Sequence, residues 1–231
     1  MRLDKLLANK AFGSRKEVHQ IIRDGRVTVN GAVILKKDQS IDIDDIIAVD
    51  GVQISTKQQY YIKFHKPAGY ITAVEDPTHP VVMDLLPPEF KKMGVFPVGR
   101  LDKDTEGLLL LTNDGIWAHS IINGHKHVPK VYYVEFNGKL TKEGIERIET
   151  GIVLGDGTQC KPANIDVLSE QSLHITIEEG KYHQVKRMIG AAGGEVTYLK
   201  RLSIGHITLN GIEAINTYSE IDDQDVVDFK K

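Results

Sequence analysis

VGRLDKDTEGLLLLTNDG, Val98 to Gly115, is the stretch on which the reading of this 231-residue chain turns. A charged loop, Arg100 to Glu106, stands between an apolar entry (Val95, Phe96, Val98) and an apolar run, Leu108 to Leu111, that stops at Asn113, Asp114 and Gly115. Short apolar runs bounded by turn residues predict buried strands. A loop with one Arg and two Asp between two such strands lies at the edge of a core, where a carboxylate is held in place without being lost in bulk water. An Asp in a Gly-flanked loop is more often a turn former bonded to its own backbone, and for Asp102 taken alone that is the plainer expectation.

Outward toward the carboxyl end, Trp117, Ala118 and Ile121 predict a helix capped by Asn113 or Asp114. Lys130 to Phe136 alternates as a strand, so Tyr132 and Tyr133 point to opposite faces and one of them meets the core or a cleft. A helix is expected over 142 to 149. The segment EGKYHQVKRM, Glu179 to Met188, then leads into another helix. If that helix starts near His183, then Val185, Met188, Ile189 and Ala192 form its buried stripe, with His183 and Arg187 opposite and Gln184 and Lys186 on the borders. The glycines from Gly190 to Gly194 follow a helix, which excludes a nucleotide-cradling loop. Val196 to Ile204 and His206 to Leu209 read as closing strands, with Lys200 and Arg201 as possible additions to a path for a polyanion.

Toward the amino end, Tyr60 to Phe64 predicts a strand running into the turn His65-Lys66-Pro67-Ala68-Gly69, and the Pro-rich segment Glu75 to Met93 a long, mobile connection. Residues 1 to 37 differ in kind, with nine Lys or Arg against three acids, although the whole chain carries a net charge of −3. Leu3, Leu6 and Leu7 share one helical face, and Ser14 with Glu17 makes a capping box for a second helix. Val27-Thr28-Val29 before Asn30-Gly31 is a hairpin signal. Arg2, Lys5, Lys10, Arg15, Lys16, Arg23 and Arg26 make this a small basic unit suited to a nucleic-acid backbone. Asp42, Asp44, Asp45 and Asp50 are expected on later strands facing away from it, and Ser55 to Gln59 reads as a linker.

Composition excludes several classes. The apolar fraction of 41% is that of an ordinary globular protein, no window approaches a membrane span, and MRLDKLLANK is too charged for a signal peptide. Cys160 is the single cysteine, so no internal disulfide or cysteine-clustered metal site is expected; packing is its expected role and the cytoplasm the expected compartment. His125-Lys126-His127 is a weak metal signal, better explained by solvent or RNA. No cofactor and no metal are expected.

GRLD followed by TEGLLLLTNDG resembles the signature of the RsuA-like pseudouridine synthases, and EGKYHQVKRM resembles that family's second motif almost letter for letter. GSRKEV, GRVTVNG and IIAVDG resemble the pieces of an S4 RNA-binding domain. The resemblance covers nearly the whole chain and implies an α+β protein. A small S4-type αα-hairpin RNA-binding domain over 1 to 59 would precede a mixed, largely antiparallel synthase domain over 60 to 231. It implies Asp102 as catalytic nucleophile and Tyr132 as an active-site residue, stacking on the flipped uracil or acting in acid-base transfer. Lys186, on the helix border, is expected to lay its stem on the core and extend its ammonium to Asp102, and the family's pairing of this Asp with an Arg or Lys agrees.

Arg100 is the candidate to fill the vacated base stack, and Arg187 and Lys181 go to the RNA backbone. The implied substrate is uridine 516 of 16S ribosomal RNA in a partly assembled small-subunit particle, attacked at C6 of uracil or C1′ of ribose; no membrane partner is expected, and a monomer is. Two rivals remain open at this point. One is a non-catalytic S4-containing RNA-binding or ribosome-assembly protein. The other is a nucleoside or glycosyl hydrolase with Asp104 or Glu106 as its second carboxylate.

Overall fold

The computed structural model of the chain describes residues 1–10, 12–57, 59–123 and 127–229. They fall into two compact units: Met1–Tyr60 with Leu86–Val95, and Tyr61–Leu85 with the chain from Phe96 onward.

In the first unit α1 (Leu3–Asn9) and α2 (Arg15–Arg23) precede four short strands, β1 (Val27–Val29), β2 (Ala32–Val33), β3 (Ile47–Val49) and β4 (Val52–Ile54), in the sheet order β2-β1-β3-β4. The Ser14 hydroxyl accepts from the Glu17 N–H while the Glu17 carboxylate accepts from the Ser14 N–H, so the predicted capping box starts α2. Asn30 and Gly31 both take positive φ, 51° and 83°, which the tight β1–β2 turn requires. Leu3, Leu6 and Leu7 close a core with Val18, Ile22, Val27, Ile41 and Ile47.

The acids do not all face away. Asp50 sits in the β3–β4 turn and binds Arg26 at 2.6 Å, because that turn returns beside the start of β1. Asp45 accepts from the Asn30 amide and the Asp42 N–H. The segment from Glu75 to Met93 is also more ordered than its prolines suggested. It contains a 3-10 turn, Val82–Leu85, with Val82 and Met83 buried, and a short helix α3 (Pro88–Lys92) with proline at its first position.

The second unit is built on β5 (Tyr61–Lys66), β6 (Phe96–Val98), β7 (Glu106–Thr112), α4 (Gly115–Ile122), β8 (Lys130–Gly138), α5 (Lys142–Thr150), β9 (Asn164–Ser169), β10 (Ser172–Ile177), α6 (Gln184–Ala191), β11 (Gly194–Ile204), β12 (Ile207–Thr208), β13 (Tyr218–Glu220) and α7 (Asp223–Asp228). Its sheet runs β13-β5-β7-β11-β8-β10-β9, with β6 added on β7 and β12 on β11. Neighbours pair antiparallel except β7 with β11, where Lys200 and Arg201 lie beside Glu106 and Gly107 in parallel. The expected mixed, largely antiparallel sheet is therefore what the chain forms.

Four leucines in a row make sense here, because a central strand covered on both faces needs no polar side. Leu108 to Leu111 are all fully buried. Leu108 and Leu110 join Trp117, Ile121, Val128, Ile204 and Phe229 in one core, and alternation sends Leu109 and Leu111 to the other face. Asp114 caps α4 through the Ile116 and Trp117 N–H groups. Gly107 is required by the parallel pairing: its φ is 107°, and a Cβ there would meet the Arg201 carbonyl oxygen at 2.2 Å. No helix among the described residues is long and apolar enough to cross a membrane.

Candidate active site

The loop between β6 and β7 carries Asp102, and its shape is set by backbone contacts rather than by the carboxylate. The Thr72 hydroxyl donates to the Leu101 carbonyl at 2.7 Å and accepts from the Leu101 N–H at 3.0 Å. Gly69 N–H donates to the Lys103 carbonyl at 2.7 Å, and Thr105 N–H to the Asp102 carbonyl at 3.1 Å.

From the end of β5, Lys66 reaches into this loop with its side chain fully buried. Its ammonium donates to the carbonyls of Thr105 (2.7 Å), Pro67 (3.0 Å) and Asp102 (3.1 Å), with Lys103 at 3.4 Å. Burial pushes the Lys66 ammonium down to about 8, against the pull of the Asp104, Asp102 and Glu106 charges. Sequence reasoning saw only a turn at Lys66-Pro67. The available signal was a lysine at the end of a largely apolar strand, and that says nothing of what the ammonium would meet.

Asp102 thus keeps both carboxylate oxygens for other groups. Lys186 Nζ stands 3.3 Å from Oδ2 and His183 Nε2 3.4 Å from Oδ1. Lys186 comes from the first turn of α6, whose buried face is the expected Val185, Met188, Ile189 and Ala192. Its pKa is drawn down by burial but held above the ordinary lysine value by the Asp104 hydrogen bond and the charges of both aspartates. Asp104, two residues further along the same loop, is the nearer partner, at 2.6 Å. Burial raises the Asp104 pKa, yet the Lys186 hydrogen bond and charge leave it below the usual carboxylate range.

Three details of the EGKYHQVKRM segment depart from helix geometry alone. The helix begins one residue late: His183 is its N-cap in a left-handed conformation, φ 48°, which turns the imidazole toward Asp102 instead of away from the core. Gln184, expected on a border, is buried. Its amide donates to Glu179 at 2.6 Å and accepts from the Lys181 N–H at 3.0 Å, tying the loop to the helix. Arg187, placed opposite the stripe, is instead half-buried and paired with Asp156 at 2.5 Å. Lys181 pairs with Glu179 at 3.3 Å and also donates to the Gln159 carbonyl.

Arg100, Asp102, Tyr132, Lys181, His183 and Lys186 all line one open cleft, with Leu101, Thr105, Ile177 and Leu199 as its apolar part. Tyr132 is buried and Tyr133 faces the other way, where its hydroxyl donates to Glu135 at 2.8 Å. Arg100 is exposed and has no hydrogen bond or ion pair among the described residues. Arg201, offered as part of a surface path, is 3% exposed: Nε donates to the Leu108 carbonyl at 2.7 Å, and Nη1 lies 3.5 Å from the Tyr132 hydroxyl. No local pattern marked that burial, since the face of β11 that carries Arg201 also carries Thr197 and Ser203. Burial also pushes Lys130 down to about 8, with the charge of Arg201 adding to the effect.

In the first unit Lys5, Arg15, Lys16 and Arg23 are exposed and form no ion pair among the described residues, whereas Arg2 is held by Asp4 at 2.7 Å and Arg26 by Asp50. No group of three or more His, Cys, Asp or Glu among the described residues could hold a metal ion. His125 and Lys126 lie outside the described residues.

The family model described as RNA pseudouridylate synthase matches residues 60–191, and that of the S4 domain matches residues 1–47. The chain belongs to the RNA pseudouridylate synthase family. As a pseudouridine synthase it is an isomerase that converts uridine in RNA to pseudouridine, which sets aside both the hydrolase and the non-catalytic reading. It is 42% identical to an uncharacterized RNA pseudouridine synthase of Bacillus subtilis, over 98% of this chain and 97% of the relative. It is 35% identical to ribosomal small subunit pseudouridine synthase A of Escherichia coli, over 98% of each. A crystal structure of a pseudouridylate synthase superposes over 99% of both chains with a TM-score of 0.69 at 29% identity.

Proposed function

We propose that this synthase isomerises one uridine of small-subunit ribosomal RNA, uridine 516 of the 16S molecule, in a partly assembled particle, with Asp102 as nucleophile. The observation that carries the reading is the carboxylate itself: Lys66 holds the Asp102 backbone and Thr72 that of the preceding Leu101, and the two carboxylate oxygens face Lys186 and His183 in a cleft that Tyr132 lines. The small-subunit substrate is supported by relatives named for it that match the chain along nearly its whole length.

A uracil stacked in a helix is out of reach, so the nucleotide leaves the stack at a cost of roughly a few kcal/mol. Arg100, exposed at the cleft, fills the vacated place. An ionised carboxylate then attacks, at C6 of the base or C1′ of the sugar, and later departs. The N1–C1′ bond breaks, the uracil turns against Tyr132, and C5 bonds to C1′; C5 gives up its proton and N1 takes one. Lys186 keeps the carboxylate charged and aimed before attack and relieves its negative charge as it leaves.

The test is tritium release from rRNA labelled at uracil C5, taken from a strain that lacks this synthase. Wild type should liberate tritium at one site. Asp102→Asn, which keeps the size and most turn-forming bonds of Asp but cannot form the adduct, should liberate none while RNA affinity and Tm stay near wild type. Measurable turnover by Asp102→Asn, with deamidation excluded by mass spectrometry, would overturn the assignment.

A further inference from the structure

One aromatic side chain beside the cleft is not explained by packing or by the chemistry above. Tyr182 is 77% exposed, and its hydroxyl has no hydrogen bond among the described residues. Yet the ring is held: it stacks on the His183 imidazole with centroids 3.9 Å apart and planes 17° from parallel. Its carbonyl accepts from Arg187 at 3.3 Å. His183, in turn, keeps the left-handed backbone that carries its ring to Asp102. A non-glycine residue in that region costs on the order of 1 kcal/mol or more and persists where the surroundings impose it. The carboxylate, the imidazole and the phenol therefore form a short series that starts at the reacting centre and ends in an open aromatic face.

We infer that the outer face of Tyr182 is a stacking site for an unpaired RNA base flanking the target uridine. The inference rests on the proposed reading of Asp102, because it takes the target uracil to sit at that carboxylate. When a nucleotide leaves its stack, each neighbour loses one stacked face. An aromatic ring already fixed one residue from the reacting centre replaces that face without having to be ordered first. The nearby cations do not offer the same service, since Lys181 and Arg187 are engaged by Glu179 and Asp156. The contact is therefore one of π-faces rather than of charge. It should add affinity without adding to the salt dependence, which counts neutralised phosphates.

The experiment uses the full chain and a transcript of small-subunit rRNA, reading Kd at several salt concentrations, together with KM and single-turnover tritium release on rRNA from the synthase-lacking strain. Tyr182→Leu keeps bulk but removes the flat ring. It should weaken Kd and KM by between about 5- and 150-fold, the range for one base stacked on one aromatic side chain. The rate at saturation should stay within about twofold and the slope of log Kd against log salt should not change. Tyr182→Phe should restore both constants. An unchanged Kd in Tyr182→Leu overturns the inference. So does a loss confined to the saturating rate, which would mean that Tyr182 only props His183, and so does a flatter salt slope, which would mean a phosphate contact. Should wild type release no tritium, the reading of small-subunit rRNA as substrate fails on its own, and should Asp102→Asn release it, the reading of Asp102 does; in either case the stacking site still stands or falls on Kd.

Discussion

Asp102 and Asp104 are two residues apart and share one lysine, and their surroundings separate them. Asp102 is half-buried and lines the cleft; the Asp104 side chain is 74% exposed. Exposed ion pairs are worth roughly 0–1 kcal/mol because solvent screens them and long side chains lose entropy to hold them. Asp104→Asn should therefore leave Tm within a few degrees and turnover within severalfold of wild type, even though Asp104 is the nearer partner of Lys186. A loss as deep as that of Asp102→Asn would show instead that Asp104 sets the position of the ammonium. Lys186→Met removes the cation that faces both carboxylates and should lower single-turnover isomerisation by about 100- to 1,000-fold, the scale for deleting one preorganised electrostatic partner. Lys186→Arg should recover part of it, since the guanidinium keeps the charge.

The elements matter here through what their ends deliver. Strand β5 ends in a buried ammonium that fills the carbonyl cradle of the Asp102 loop, and an ammonium has three hydrogens for that task where a neutral amine has two. With its pKa at about 8, Lys66 loses one donor as pH rises, so turnover should fall across a limb near pH 8 that is absent in Lys66→Met. Stability should move the other way. The folded pKa lies below the unfolded value of 10.5, the unfolded chain binds more protons between these values, and unfolding free energy therefore rises with pH from about 8. Lys130, also at about 8, adds to the same trend. A wild-type Tm that drops between pH 7.5 and 9 would contradict this account. Gly107 is the second such point: Gly107→Ala pushes a Cβ into the Arg201 backbone at positive φ and should cost about 3 kcal/mol or more, or roughly 6–12 °C in Tm. The β7 leucines, the α6 stripe and the caps of α2 and α4 were legible because periodicity and capping are local. Lys66 and Arg201 were not, because a buried cation looks like any surface lysine or arginine until the carbonyls that receive it are known.

For the whole molecule, the uneven charge is the property with consequences. A net −3 conceals a basic amino-terminal unit in which Lys5, Arg15, Lys16 and Arg23 are unpaired among the described residues. Removing residues 1 to 59 is a poor test of their role, because Leu86–Val95 belongs to the same compact unit and would lose it. Replacing those four by Gln in the full chain is cleaner. Each phosphate contact contributes about 0.7–0.9 to the slope of log K against log salt, so the quadruple variant should flatten that slope by as much as about 3 while the rate at saturation persists. An unchanged slope would show that the basic unit is not the RNA anchor. Arg2 and Arg26, tied to Asp4 and Asp50, should contribute less when replaced singly.

The sequence by itself determined the two-part organisation, the S4-like hairpin of helices, the buried central strand and the loop that carries Asp102. Each is written in neighbouring residues: a period of 3.6 or 2, a Ser-Glu box, an Asn-Gly turn, a run of four leucines. Only the tertiary structure decided which groups meet that loop. Lys66 lies 36 residues before Asp102, and Lys186 and His183 more than 80 after it. Their convergence depends on β7 lying between β5 and β11, on the parallel register at Gly107, and on the left-handed turn at His183. Strand order and a single backbone dihedral are set by the whole packed core, and no local pattern of residue types encodes them.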